Sequence, residues 1–144
     1  MIPRIWIRWL YAVTIAIMLL GMSMVLMPGL AREFFSLLFY FAPGGFQARY
    51  PVEANEYILF AHGVLGAVML GWGVSIFLVI RGPFRRRDSD GWALLARPML
   101  VWFAADTGFS FYVGFWQNAI LNSVLLMLFA IPLAATRSCF REEK

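Results

Sequence analysis

His62 is the only histidine of the chain, and Asp106 is its one carboxylate set well inside an apolar stretch. An imidazole beside a carboxylate can relay a proton, orient on a substrate headgroup or hold a quinone carbonyl. Ionisable groups at membrane depth are costly enough that function is the first hypothesis, with a partner named. Ser110 follows Asp106 by one helical turn, Asn122 follows Asn118 by one turn, and Glu56 lies shortly before His62. His62, Asp106, Ser110, Asn122 and Glu56 are therefore the candidate ligand-binding or proton-relay residues. The plainer alternative is that His62 and Asp106 hydrogen-bond each other and pin two helices, as polar pairs do in membrane bundles. Asn118, just after the Trp116-Gln117 turn, reads as a helix cap.

Four apolar stretches have to position these groups, at about 5–27, 54–80, 92–116 and 118–136. Each is close to the ~20 residues that carry a helix across a bilayer. With 62% hydrophobic and 14% charged residues, the whole chain is too apolar for an ordinary soluble domain. The expected fold is all-α, a transmembrane four-helix bundle in a single domain over 1–144. At 1.5 Å per residue, His62 sits about 10 Å and Asp106 about 15 Å below the outer surface, at overlapping depths. A signal peptide is the competing reading of the first stretch, but GMSMVLMP at 21–28 lacks a small-residue cleavage site, so it is read as retained.

Basic residues orient the bundle. Arg4 and Arg8 lie at the amino end, Arg81, Arg85, Arg86 and Arg87 between the second and third stretches, and Arg137, Arg141 and Lys144 in the tail. The other two connections hold only Arg32 and Arg49. The positive-inside bias then puts both termini and the 81–90 loop in the cytoplasm. Between the first two stretches, Pro28 opens and 42–45 (APGG) closes a segment too short to span, an interfacial or re-entrant helix at about 29–42. Arg32, Ser36 and Tyr40 would share its wet face, with Phe34, Phe35, Leu37, Leu38 and Phe41 in the outer leaflet. Asp88, Ser89 and Asp90 offer caps for the third helix, and Pro98 and Pro132 should bend the helices that hold them.

Small residues supply the expected packing faces, because lipid competes equally with any leucine and close backbone approach does not suffer that competition. Gly63, Ala67 and Gly71 recur every four residues on the second helix, and Ala104 and Gly108 do so on the third. These five are the expected helix-packing residues, with the second and third helices packed backbone to backbone.

Several chemistries fall away. Cys139 is a lone cysteine, so no disulfide or dithiol pair forms within the chain. One histidine cannot make a bis-histidine haem site. No metal-ligand spacing, phosphate loop or nucleophile elbow is present, so neither a metal nor a cofactor is expected, and clustered arginines at helix ends point to headgroups rather than nucleic acid.

The runs HGVLGAVMLGWG at 62–73, WFAADTG at 102–108 and GFWQNA at 114–119 resemble those of small uncharacterised bacterial four-helix membrane proteins. The resemblance covers about the last two thirds of the chain. It implies a bacterial inner membrane and four helices, and it supplies no activity or catalytic residue. The function expected first is non-enzymatic: an accessory subunit or a lipid- or small-molecule-binding bundle with a polar site in its outer half. Its partners would be membrane lipid and either further copies of the chain or a larger membrane complex. A small oligomeric proton-coupled transporter comes second, although no inverted repeat is visible. A membrane enzyme using the His/Asp pair comes third.

Overall fold

The computed structural model describes residues 1–140, among which every regular element is helical. Arg141 and Lys144 of the basic tail lie outside the described residues. In chain order come α1 (Arg4–Leu26), α2 (Pro28–Tyr40), α3 (Gly45–Arg49), α4 (Val52–Val79), a π-helical turn (Ile80–Phe84), α5 (Gly91–Tyr112), α6 (Trp116–Thr136) and a closing 3-10 turn (Arg137–Phe140). Three helical runs are long and apolar enough to cross a membrane: Arg4–Leu26, Val52–Phe84 and Trp116–Phe140. That is the build of an integral membrane protein. α5 is not among the three, since Arg97, Pro98 and Asp106 interrupt its apolar character.

The chain forms two compact units. One joins Met1–Ile15 with the chain from Val74 onward; the other is Ala16–Gly73. Thus α1 and α4 each contribute to both.

In the first unit, α5 and α6 form an antiparallel hairpin. The turn between them runs through Gly114, whose φ of 83° suits a residue without a side chain. At the far end of the hairpin, the indole N–H of Trp92 donates to the Leu133 carbonyl at 2.7 Å. The helix tightens there, the Arg137 N–H bonding to Ala134 rather than to Leu133, so that the Leu133 carbonyl accepts the indole and, at 3.3 Å, the Thr136 hydroxyl. Pro132 has no N–H, which releases the carbonyl of Leu128 one turn back. The Trp9 indole takes it at 2.9 Å, tying α1 to α6. Both prolines lie within unbroken helices. The link between α4 and α5 folds against the tail: Arg87 Nε donates to the Cys139 carbonyl at 3.0 Å, and Phe84 meets Phe140 at 5.1 Å between ring centroids. Asp90 takes the N-cap position of α5 without a side-chain bond, while Asp88 pairs with Arg86 at 2.8 Å.

In the second unit the small-residue contact falls elsewhere than expected. A Cβ on Gly21 would lie 2.7 Å from the Gly66 carbonyl oxygen, and one on Gly66 would lie 2.6 Å from that of Gly21. A Cβ on Gly73 would strike Met18 at 2.5 Å. α1 and α4 therefore touch backbone to backbone through Gly21 and Gly66. Gly63, Gly71 and Gly108 have nothing within 4 Å of an added Cβ, and Ala67 and Ala104 are exposed. Four-residue spacing marks a smooth strip but not its direction, and the strip used is one row away from the one expected.

α2 keeps its expected limits to within a residue or two. Pro28 starts it, and Phe41, at a φ of 55°, stops it. Of the residues expected in the outer leaflet, Phe34, Leu37 and Phe41 are exposed and Phe35 and Leu38 are half-buried. Ser36, expected on a wet face, is instead fully buried. Its hydroxyl donates to the Ala42 carbonyl at 2.8 Å and accepts the Gly45 N–H at 2.6 Å, closing α2 onto the unforeseen α3.

Candidate functional site

The α5–α6 hairpin gathers most of the polar residues that the apolar stretches contain. Because the chain reverses at Gly114, positions at similar distances on either side of that turn come face to face. Asn118, one turn into α6, extends its amide across to α5. One N–H meets Asp106 Oδ1 at 3.0 Å and the other meets Ser110 Oγ at 2.8 Å. Ser110 in turn donates to the Asp106 main-chain carbonyl at 2.7 Å, with Oδ1 farther off at 3.4 Å. One turn deeper, Asn122 Nδ2 donates to Thr107 Oγ1 at 3.3 Å.

Burial grades across this group. Ser110 and Asn122 are buried, at 3% and 4% exposure, while Asp106, Thr107 and Asn118 are half-buried. The half-buried carboxylate is thus held on Oδ1 by the Asn118 amide. Both amide hydrogens of Asn118 are committed to the network, so its position follows from the register of the hairpin. An ionisable group fixed in this way among neutral donors can hold a cation, an amine or hydroxyl group, or a proton.

Of the residues named from sequence, Asp106 and Ser110 are joined directly, and Asn122 belongs to the next rung of the same ladder. His62 and Glu56 lie in the other compact unit. There the His62 ring stands 5.2 Å from that of Phe35, and Nδ1 is 2.6 Å from the Ile58 carbonyl one turn back. A carbonyl only accepts, so Nδ1 is the donor of this bond. Glu56 is exposed on α4. Each of the supposed pair, His62 and Asp106, therefore has partners within its own unit.

Two members escaped the sequence reading. Asn118 is not the cap of α6, because Phe115 takes the N-cap position and the Asn118 side chain turns toward α5. Thr107 was passed over beside its charged neighbour. The usable signal was the pair of i, i+4 ladders, Asp106 with Ser110 and Asn118 with Asn122, set on either side of a tight turn.

A second polar cluster closes the segment between α1 and α4. Glu33 accepts hydrogen bonds from Gln47 Nε2 and from the Gly44 N–H, the latter at 2.9 Å. These bonds, that of Gln47 foremost, hold its carboxyl below the usual value. The Tyr40 and Tyr50 hydroxyls meet at 3.0 Å with the Arg49 guanidinium 4.3 Å from the Tyr40 ring centroid. Burial, and then the Tyr50 bond, push the Tyr40 hydroxyl up to about 12. This cluster joins α2 to α3 and has the form of a structural clasp.

Compared with known proteins, the chain matches no family model and is similar to no curated protein and to no solved structure.

Proposed function

We propose that the chain is a non-enzymatic integral membrane protein, a binding or accessory bundle whose ligand site is the Asp106 network of the α5–α6 hairpin. The observation that carries this reading is the carboxylate of Asp106, held through Oδ1 by Asn118 at 3.0 Å and only half-buried. A carboxylate in an apolar helix is expensive wherever it is not used. Its fitting ligand is a small molecule or lipid headgroup that offers an amine or hydroxyl donor.

α5 is taken as a fourth crossing. It has 22 residues, enough for about 33 Å, and it runs beside α6, which is long and apolar enough to span. Its bonds to α6 at both ends support that placement. Four crossings put both termini on one side, and the arginines of the ends and of the 81–90 loop make that side the cytoplasm. The network then opens toward the outer face. A bacterial inner membrane is the setting implied by the resemblance of the 62–73, 102–108 and 114–119 runs.

The test is purification of the full chain in native membrane discs, with mass spectrometry of the molecules that come with it. Asp106→Asn keeps the shape and removes the charge. A molecule retained by the wild type and lost from a folded Asp106→Asn protein supports the proposal. Identical retention by both proteins overturns it, as does a variant that no longer folds, which would make Asp106 purely a packing residue.

A further inference from the structure

We propose that the groove between α5 and α6 beside the closing 3-10 turn is a site for an anionic phospholipid, with an acyl chain in the groove and the phosphate on Arg137. The groove has a volume of about 340 Å³ and is lined by Trp92, Met99, Leu126, Ala130, Leu133 and Arg137, among others. Between Leu126 and Arg137 it follows α6 for about 16 Å at 1.5 Å per residue. Every lining side chain is apolar except Arg137, at one end, and the tryptophan beside it.

Two features fix that end. The Trp92 indole is tied to the Leu133 carbonyl at 2.7 Å, and the Arg137 guanidinium stands 5.4 Å from the Trp92 ring centroid. Among the described residues Arg137 forms no ion pair with a carboxylate. An apolar trough with a cation at one end matches an amphiphile with an anionic head and a hydrocarbon tail. Free phosphate would use the cation and leave the trough empty. A purely apolar occupant would fill the trough and make no use of the cation. The site lies at the opposite end of the hairpin from Asp106 and shares no residue with that network, so it stands or falls independently of the proposed function.

The experiment uses the full chain in lipid nanodiscs containing phosphatidylglycerol or phosphatidylcholine with a photoreactive acyl chain, at equal mole fraction, with adducts mapped by mass spectrometry. Phosphatidylglycerol should label the Met99–Leu126–Ala130 groove about five-fold more than phosphatidylcholine, the worth of roughly one basic side chain at an anionic headgroup. Arg137→Gln should bring the two lipids level, Arg137→Lys should keep the preference, and Ala130→Phe should remove groove adducts of both. Equal labelling by the two lipids in the wild type, or a preference that survives Arg137→Gln, overturns the proposal.

Discussion

Asn118 is the residue on which the polar network turns, since it gives both amide hydrogens to α5. Hydrogen bonds between membrane helices are worth on average about 0.6 kcal/mol each, with a ceiling near 1.7. Asn118→Ala is expected to cost about 1–2 kcal/mol on that scale, read from denaturant titration in detergent micelles. Asn118→Asp should cost more, because it sets a second carboxylate against Asp106. An unchanged midpoint for both would show that the network carries no energy. Glu33 predicts a pH effect. Its folded value lies below the ordinary 4.5, so its contribution to the α2–α3 clasp is complete above about pH 4.5 and fades as the pH falls through the folded value. Protease nicking of the 41–44 turn should rise in that acid range. Glu33→Gln should flatten the dependence, and a wild-type profile without an acid limb would contradict the assignment.

At the scale of elements, close helix contact and helix bonding make separate predictions. Gly21→Ala and Gly66→Ala push a methyl into facing backbone, which costs about 1–3 kcal/mol in a well-packed interface. Gly63→Ala and Gly71→Ala meet open space, so they should be neutral or gain some of the ~0.5–1 kcal/mol by which alanine exceeds glycine in a helix. Melting temperatures of the four variants would decide, and the reverse order would restore the Gly63–Gly71 strip as the contact. Trp9 and Pro132 form a second test. Trp9→Phe leaves the Leu128 carbonyl without its indole donor and should destabilise the protein by about 1 kcal/mol. In a Pro132→Ala background the alanine N–H can reclaim that carbonyl, so the same Trp9 change should cost little. Additive effects in this double-mutant cycle would refute the link.

For the whole molecule the sharpest prediction is topology. Reporter fusions in the 81–90 loop and at both ends should report the cytoplasmic side, and one in the Gly114 turn should report the outer side. An outside signal from 81–90 would reverse the arrangement and place the Asp106 network toward the cytoplasm. A shared side for the Gly114 turn and the 81–90 loop would mean that α5 does not cross. α5 is the element on which these outcomes turn, because the same Asp106 that makes it interesting also makes it the least apolar of the long helices.

Long apolar runs, basic loops, and the Pro28 and 42–45 boundaries are legible from sequence because they act locally. Hydrophobic length sets what crosses a bilayer, and proline or a left-handed residue stops a helix wherever it occurs. The membrane class, the helical fold and the limits of α2 are therefore written in the chain. Which face of each helix is used is a different kind of fact. It depends on rotation about the helix axis, which packing against neighbours sets. So the contact falls on Gly21 and Gly66 rather than on Gly63 and Gly71, and Ser36 is turned inward. Through the register of the Gly114 turn, Asn118 meets Asp106 and Ser110 instead of capping its own helix. The polar residues were visible in the sequence; their partners were decided by the tertiary structure.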